Sequence, residues 1–559
     1  MTGAATVLPV QPVTVRGSAG HGIRLLSVLA VVLAAVLFTP VAVVLGMSVG
    51  ANAGNWQHLF DTVLGDYVIN TAALLVLVTL GAGSIGVTSA WLVSAYRFPG
   101  RGVLEWALVL PLAMPAYVIA YAYTDFLQFS GPVQSSLRLV MGWSAGDYWF
   151  PEIRSLGGAA VMFSFVLYPY VYLLARTAFL EQSANLAESG RLLGMSRWSN
   201  FFRVGLPLAR PAIAAGISLA LMETLADFGT VSYFAVPTIS VGIYRAWLSL
   251  GDSAAAAQLA SLLLLFVITV LVVERFYRGT ARFHQAASRR RRGMQLTGRR
   301  SIPAIVLCVL PVGFGFLLPA GILLHLSLRA EETQWTSRLV DAIVNTVTVA
   351  AIASLAAIML AVVIAYAARL SRHPAVRWAH ATVGLGYAIP GAVIAVGVLI
   401  PVGRLDNWLA DLLQSMTGTD PGLLLTGGMA ALVYAYLVRF LAVALQSVDA
   451  GLGRIRPNME DAARSLGHAP AQVLARVHVP MLRGSLLTAL LIVFVDVMKE
   501  LPATFMMRPF NFETLAVRAY QFAADERLAE AASASLVIAL VGLVPLIVLA
   551  RRISRGQAA

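Results

Sequence analysis

The hydrophobic residues of this chain are grouped into long runs that alternate with short polar segments. Apolar runs of roughly 18 residues or more are typical of helices that cross a lipid bilayer. Twelve such runs lie at about 25–47, 70–95, 104–126, 159–177, 211–234, 255–273, 302–327, 345–367, 379–401, 423–443, 484–505 and 532–549. The pattern predicts an all-α polytopic membrane protein with about 12 transmembrane helices, six in each half of the chain.

One polar stretch between predicted spans occurs twice. Residues 188–207 read Glu-Ser-Gly-Arg-Leu-Leu-Gly, twelve residues and Pro, and residues 461–480 read Asp-Ala-Ala-Arg-Ser-Leu-Gly, twelve residues and Pro. A constant offset of 273 relates Glu188, Arg191, Gly194 and Pro207 to Asp461, Arg464, Gly467 and Pro480. A loop that only faced lipid headgroups would not need such constant spacing, so the repeat predicts a duplicated functional element. We call these stretches the first and the second repeated loop.

Each repeated loop has the pattern of two short helices joined by a turn. A carboxylate and an arginine three residues later share one helix face, and glycine ends a helix without the steric penalty of a Cβ atom. The second short helix is expected to begin near Ser196 in one copy and near Pro470 in the other, and the proline is expected to close it. The sequence predicts a basic helix-turn-helix at the membrane surface.

The second repeated loop, in which Ala462 and Ala463 follow Asp461, resembles the coupling loop of binding-protein-dependent ABC importer permeases of the MetI-like type. The first repeated loop retains Glu188 but has serine and glycine in place of the two alanines. The resemblance extends over about 70–549. It implies that each loop docks on one of two copies of an ABC ATPase subunit, and that a periplasmic solute-binding protein delivers the substrate.

The repetition extends beyond the loops and divides the chain into two halves. Asn70 and Thr71 match Asn345 and Thr346, and Pro115 matches Pro390, at an offset of 275, while residues 244–247 match 517–520 at an offset of 273. We expect a first half at 25–274 with its core at about 66–274, and a second half at 302–553 with its core at about 341–550. Residues 1–24 are expected to form a cytoplasmic tail and residues 275–301 a basic cytoplasmic linker. Halves of equal topology are parallel repeats, related by an axis along the membrane normal.

Composition and charge agree with a membrane protein. Of the 559 residues, 59% are hydrophobic and 12% are charged, and the mean hydropathy is +0.79. The net charge of +13 comes from arginines between the predicted spans, which is typical of cytoplasmic loops and not of a nucleic-acid-binding surface. We expect a multi-pass protein of the bacterial inner membrane, surrounded by lipid, with both termini and both repeated loops in the cytoplasm and with no nucleic acid as a partner.

Residues that the sequence lacks exclude several kinds of chemistry. Lys499 is the only lysine and follows Met498, so no phosphate-binding loop ending in Gly-Lys-Ser or Gly-Lys-Thr is present. ATP hydrolysis is therefore expected on a separate polypeptide, and we expect no catalytic residue and no cofactor in this chain. Cys308 is the only cysteine and the eight histidines do not fall at ligand spacing, so no resident metal site is expected.

Four carboxylates lie inside predicted spans. Glu223 and Asp227 are four residues apart on one helix face, and Asp496 and Glu500 repeat them at the offset of 273. A charged residue at the centre of a bilayer is unfavourable by roughly 2.5–3.5 kcal/mol on insertion scales, so such groups usually face a cavity or a partner. The four acids are candidates for the translocation pathway, but they could equally cap broken helices or pair with Lys499.

Prolines and tyrosines inside the spans leave two interpretations open. Pro111, Pro115, Pro390 and Pro401 indicate kinked or broken helices, which either line a pathway or face lipid. The tyrosines of these segments are Tyr117, Tyr121, Tyr123, Tyr168, Tyr170, Tyr434 and Tyr436. They are expected mainly in aromatic belts at the membrane surfaces, although a phenolic oxygen could also contact a transported cation.

Residues 499–504 and 508–520 resemble the ferric-iron branch of the permease family, whose members have two fused halves. This resemblance implies Fe(III) as the substrate, and carboxylates are suitable ligands for a hard cation. Permeases for sulfate, thiamine and polyamines share the architecture and remain alternatives. A secondary transporter with six plus six spans, driven by an ion gradient acting on the intramembrane acids, is the alternative of a different class. The repeated loops favour the ABC importer.

Overall fold

The computed structural model describes residues 18–50, 53–182, 195–278, 294–329, 336–426 and 428–558, which are folded almost entirely into helices. Within these ranges, eleven helices are long and apolar enough to cross a membrane. A twelfth span is obtained when the helices Arg101–Ala113 and Ala116–Met141, bent by 92° at their junction, are taken together. The prediction of an all-α polytopic membrane protein is confirmed.

The helices of the two halves follow one another in corresponding order. In the first half they are α1 Ser18–Gly50, α2 Ala53–Thr62, α3 Leu64–Ala95, α4 Arg101–Ala107, α5 Ala116–Leu127, α6 Pro132–Met141, α7 Leu156–Glu181, α8 Arg197–Asn200, α9 Leu206–Ala226, α10 Gly229–Tyr233, α11 Ile239–Tyr244 and α12 Ser253–Arg278. In the second half they are α13 Ile302–Val312, α14 Leu318–Arg329, α15 Ser337–Leu370, α16 Pro374–Gly384, α17 Gly391–Thr417, α18 Met429–Leu452, α19 Pro457–Ser465, α20 Pro470–Val473, α21 Val479–Met498, α22 Pro502–Met507, α23 Leu515–Ala524 and α24 Leu528–Ala558.

The Asn-Thr pair near the start of α3 and of α15 makes the same two contacts in each half. Asn70 Nδ2 donates to the carbonyl oxygen of Pro237 at 3.2 Å, and Asn345 Nδ2 donates to that of Glu513 at 3.1 Å. The threonine that follows accepts from the first backbone N–H of α11 at 3.1 Å, and of α23 at 2.8 Å. The sequence match between the two pairs is therefore a structural equivalence.

These contacts also correct one part of the internal alignment. Pro237 and Glu513 occupy equivalent positions but differ by 276 in residue number, whereas 273 was expected. The segment from the start of α22 to Glu513 is therefore three residues longer than the corresponding segment, from the start of α10 to Pro237. Tyr244 consequently corresponds to Tyr520, and the match of residues 244–247 with 517–520 is wrong. Each of these tyrosines also makes a hydrogen bond to the opposite half. Tyr244 donates to the carbonyl of Pro502, and the hydroxyl of Tyr520 shares a hydrogen bond with that of Ser232.

The first span of each half packs against the opposite half. Helix α1 contacts α12 of its own half and also α15, α16 and α17, while α13 contacts α3 and α4, and α14 contacts α5 and α24. Gly397 permits the approach of α1, because a Cβ atom there would overlap the backbone of Pro40. Gly315, between α13 and α14, permits the approach of the second half's first span to α7, because a Cβ atom there would overlap the carbonyl of Phe165. The two halves thus interlock into one bundle.

Two short strands join the end of the linker to the first half. Strand β1, Tyr96–Arg97, follows α3 and pairs in parallel with β2, Met294–Gln295. Leu296 extends the contact by donating its backbone N–H to the carbonyl of Arg97 at 2.8 Å. Of the linker expected at 275–301, residues 275–278 continue α12, residues 294–301 are described, and residues 279–293 lie outside the described ranges.

Candidate functional site

The second repeated loop is a helix-turn-helix, as expected. Helix α19 ends at Ser465, and Gly467 adopts a φ of +85°, in the left-handed region that glycine tolerates. Helix α20 then begins at Pro470. Asp461 is exposed, and Leu466 at the turn is 80% exposed. The loop therefore presents both a charged and an apolar side chain to its surroundings.

The proline of each repeated loop does not close the second short helix, and that expectation is wrong. A π-helical turn follows the short helix, at Phe201–Gly205 in the first half and at Leu474–His478 in the second. The chain continues directly into α9 and α21, in which Pro207 and Pro480 are the second residues. Proline lacks the N–H that an α-helix would use there, and the π turn accommodates this by shifting the bonding to the fifth preceding carbonyl.

The first repeated loop is described only in part. Glu188, Arg191 and Gly194 lie outside the described residues, so their roles stay predictions from the sequence. The second short helix of this loop, α8, begins as expected beside Ser196, whose hydroxyl accepts from the backbone N–H of Ser199 at 3.2 Å.

Two of the four intramembrane carboxylates cap broken helices. Between α9 and α10, Asp227 accepts from the backbone N–H groups three and four residues later, at 2.8 and 3.3 Å. Between α21 and α22, the repeat-related Glu500 accepts from the corresponding N–H groups at 2.8 and 2.9 Å. Each carboxylate also accepts from a threonine hydroxyl. The capping role that the sequence left open is therefore present for both acids.

All four carboxylates line one cavity of about 100 Å³ between the two halves. We call it the central cavity. Its other polar lining residues include Tyr117, Tyr170, Tyr387, Arg439 and Lys499. Pro115, which precedes the first residue of α5, lines the same cavity, and Pro390 precedes α17 in the same extended conformation. The break at Pro115 therefore faces the central cavity and not lipid.

The acids of the two halves have different partners. In the second half, Asp496 Oδ1 lies 2.8 Å from Lys499 Nζ, and Glu500 Oε1 lies 3.4 Å from an Arg439 nitrogen. In the first half, Glu223 accepts from the hydroxyl of Tyr387 at 2.5 Å. The pairing with Lys499 that the sequence left open is thus present, and it involves Asp496.

The two cations of the central cavity have no counterparts in the first half. The offset of 273 places Ala226 opposite Lys499, and Val166 opposite Arg439. Among the described residues, no ion pair involves Glu223 or Asp227, and no group of three or more His, Cys, Asp or Glu is placed to hold a metal ion. Four carboxylates and two cations give the lining a formal charge of −2 when all are ionised. The two acids that form no ion pair among the described residues belong to the first half.

Most tyrosines that were expected in aromatic belts lie inside the bundle. Buried are Tyr117, Tyr121, Tyr123, Tyr168 and Tyr436. A belt residue must reach the membrane surface, so the expectation is wrong for these five. Tyr117 and Tyr170 line the central cavity.

Two residues of the central cavity were missed by sequence reasoning. Arg439 lies within α18, and a lone arginine in an apolar span is itself a signal, because such a charge usually faces a cavity or a partner. Tyr387 lies in a 3₁₀ turn between α16 and α17. Its phenol gave no comparable signal, because tyrosine is common both in cores and at membrane surfaces.

Comparison with known proteins gives a consistent result. Residues 82–282 match the family described as the inner membrane component of binding-protein-dependent transport systems. The Fe(3+)-transport system permease protein FbpB 2 of Haemophilus influenzae is 24% identical over 505 residues, which covers 88% of this chain and 91% of the relative. The sulfate permease CysT of Escherichia coli is 25% identical over 237 residues, or 39% of this chain and 81% of the relative. The molybdenum permease ModB of Escherichia coli is 29% identical over 213 residues, or 37% and 89%.

The alignments differ in how much of this chain they cover. The Haemophilus influenzae relative aligns with both halves, whereas the sulfate and molybdenum permeases align with less than one half. The family match falls in the first half, and the internal repeat extends the same fold to the second. The first half thus carries the match to the binding-protein-dependent transport family, and the chain as a whole is similar to a Fe(3+)-transport permease across both halves.

Proposed function

We propose that this chain is the membrane-spanning subunit of an ATP-driven importer that moves ferric iron through the central cavity. The observation that carries the choice of iron is the alignment of both halves with a Fe(3+)-transport permease. The relatives named for sulfate and molybdenum match shorter segments. In the proposed cycle, closure of an ATPase dimer moves the repeated loops and switches the central cavity between inward and outward access.

The charge of the central cavity supports a cation over an oxyanion. Glu223 and Asp227 form no ion pair among the described residues, and the lining carries a formal charge of −2 when all its groups are ionised. A trivalent ion that loses part of its hydration shell is stabilised by such carboxylates. Sulfate or molybdate would instead meet a lining with more negative than positive charges. Glu223, Asp227, Asp496 and Glu500 are therefore proposed as pathway residues, two of which also cap helices.

The repeated loops are proposed as the docking sites of two ATPase subunits. In the second loop, Asp461, Ala462 and Leu466 are exposed, and Gly467 fixes the turn between the two short helices. Ala463 is buried and Arg464 partly exposed on the same helix. The first loop is proposed to bind the second ATPase copy through Glu188, Arg191 and Gly194, on the strength of the repeat alone.

We place the chain in the bacterial inner membrane with both termini and both repeated loops in the cytoplasm. Arginines concentrate at the end of the bundle that carries the second repeated loop, at Arg369, Arg372, Arg377, Arg454 and Arg456. Such a concentration is typical of the cytoplasmic side. A periplasmic solute-binding protein is proposed to deliver the ion to the opposite side.

The substrate can be tested by competition in proteoliposomes that contain the permease, its ATPase and its binding protein. Radioactive ferric iron should accumulate when ATP is present on the ATPase side, and unlabelled sulfate or molybdate should not reduce that uptake. Uptake of sulfate or molybdate, without uptake of iron, would assign the permease to the oxyanion relatives. Replacing Glu223 with glutamine should lower iron uptake but would not be expected to lower uptake of an anion.

A further inference from the structure

One turn at the end of α15 contacts both helices of the second repeated loop. Tyr366 and Arg369 are three residues apart, so they project from the same side of the helix. The guanidinium of Arg369 donates to the carbonyl oxygens of Leu452 at 2.7 Å and Ile455 at 2.9 Å, and to the carboxylate of Glu460 at 3.1 Å. It thereby joins α15 to the end of α18 and to the first turn of α19.

The ion pair between Arg369 and Glu460 is largely shielded from solvent. The two side chains are 19% and 9% exposed, so salt screens their attraction less than it screens a surface pair. Three acceptors in different directions suit the planar fork of a guanidinium, whereas the ammonium group of a lysine is a single point of charge. Arginine is therefore the residue type that can hold all three groups together.

Tyr366 contacts the other helix of the second repeated loop. Its hydroxyl donates to the carbonyl of Pro470, the first residue of α20, at 3.1 Å. Its ring lies 5.2 Å from that of His478, and both side chains are fully buried. His478 Nε2 is 3.7 Å from the carboxylate of Glu460, too far for a hydrogen bond. Movement of either short helix therefore acts on the same turn of α15.

The first half uses different chemistry at the equivalent turn. The offset of 275 places Trp91 and Ser94 at the positions of Tyr366 and Arg369. The ring of Trp91 packs against Phe201 of the π turn, with centroids 4.7 Å apart. The described part of the first repeated loop is thus contacted by an aromatic ring at this turn of α3, and Gln182 also donates to the carbonyl of Gly205 at 2.8 Å.

We propose that Arg369 is the positioning residue that passes the motion of the second repeated loop to α15. The inference rests on the proposed coupling function of the loops. Without the guanidinium, α15 loses its ion pair with α19 and its two hydrogen bonds to the end of α18 and the turn that follows it. The second loop can then follow the ATPase without moving α15, which packs against α18 and α21, the helices that carry Arg439 and Asp496 of the central cavity. ATP hydrolysis therefore continues while the central cavity no longer changes its access.

The test uses the permease assembled with its ATPase in lipid nanodiscs and needs no transported substrate. Cys308 is replaced with alanine, and Leu112, which lines the central cavity, is replaced with cysteine as a probe. The rate at which a maleimide labels this probe is measured with and without trapping by ATP and vanadate. The protein with these two replacements is the parent for all variants. Trapping is expected to change its labelling rate about tenfold, because the cavity changes its access.

Variants at Arg369 are then compared in the parent background. Arg369→Met should keep ATP hydrolysis within about twofold of the parent and abolish the change in labelling. Arg369→Lys should give an intermediate response, because it keeps the charge but not the fork. Arg372→Met removes an exposed arginine three residues away, for which the described residues show no ion pair, and should respond like the parent.

The outcomes separate the proposed role of Arg369, which we call the joint between the second repeated loop and α15, from the proposed function of the whole chain. A parent protein that does not bind the ATPase, or whose labelling does not respond to trapping, contradicts the proposed function itself. A normal response of Arg369→Met beside a normal parent overturns only the joint. If Arg369→Met does not assemble, Glu460→Gln decides: loss of the response with hydrolysis retained supports the joint, and a parental response overturns it.

Discussion

The hydroxyl of Tyr387 donates to the carboxylate of Glu223 at an O···O distance of 2.5 Å and so connects the second half to the first across the central cavity. Tyr387 lies in the turn before α17, and Glu223 lies one helical turn before the break that Asp227 caps. A hydrogen bond to a charged group contributes roughly 1.5–3 kcal/mol. This contact orients one of the two acids that form no ion pair among the described residues.

Removal of this hydroxyl should reduce transport. Tyr387→Phe keeps the ring and is expected to lower iron uptake about tenfold, because the loss of roughly 1.5 kcal/mol corresponds to a factor of about ten. Uptake by the reconstituted transporter is the measurement, and ATP hydrolysis reports its assembly. Tyr434→Phe is the matched control, because Tyr434 donates to the carbonyl of Val36 and does not line the central cavity. Equal losses in both variants would contradict a specific role of Tyr387.

Asp227 has two roles that two substitutions separate. Asp227→Asn keeps an oxygen that can cap α10 but removes the charge, so iron uptake should fall with little change in melting temperature. Asp227→Ala removes the cap as well, and the loss of about 1 kcal/mol should lower the melting temperature. Asp252→Asn is the control, because Asp252 caps α12 and does not line the central cavity. Undiminished uptake by Asp227→Asn would refute a pathway role for its charge.

The charge balance of the central cavity can be altered and restored. Lys499→Met leaves Asp496 without its cation, so we expect a transported cation to be held longer and uptake to fall. Removing one partner of a buried pair is also destabilising. The double variant Asp496→Asn with Lys499→Met restores the net charge of the pair and should recover both uptake and melting temperature. If the double variant transports no better than Lys499→Met alone, charge balance is not what limits transport.

Much of the fold follows from local features of the sequence. Eleven spans among the described residues were predictable because each is a hydrophobic helix long enough to cross a bilayer by itself, whereas the run predicted at 104–126 is bent by 92° between two helices. The match of Asn70 with Asn345 identified an equivalence that the hydrogen bonds confirm. The π turns were not predictable from the prolines, because a proline marks a missing donor without saying whether the helix ends or widens there.

The central cavity was predictable only in part. The four acids stood out because charge inside a span is unfavourable, but the sequence could not assign them partners. The contact of Glu223 with Tyr387 joins residues 164 positions apart, so it depends on how the halves interlock. Arg439 and Glu500 form an ion pair but lie in different spans. Partners of this kind are set by tertiary packing and not by local pattern.

The turn of each repeated loop should be intolerant of a β-branched residue. Gly467 has a φ of +85°, and a side chain in the left-handed region costs about 1–2 kcal/mol, more so when it is β-branched. Gly467→Val should therefore abolish uptake and ATPase binding while membrane insertion is retained. Gly418→Val introduces the same strain at φ +73° beyond α17, outside the repeated loops, and should keep uptake. Retained ATPase binding at parental affinity would exclude a docking role for this turn. Gly194→Val is likewise expected to abolish uptake and ATPase binding.

The proposed function requires a separate ATPase that binds at both repeated loops and drives uptake through this chain. The most direct measurement is iron uptake into proteoliposomes that contain the permease and its binding protein, with and without the ATPase, under either ATP or an imposed proton or sodium gradient. We expect uptake only when the ATPase and ATP are both present, and none when Gly194 and Gly467 are both replaced with valine. Uptake driven by a proton or sodium gradient in the absence of the ATPase would contradict this expectation and identify a secondary transporter.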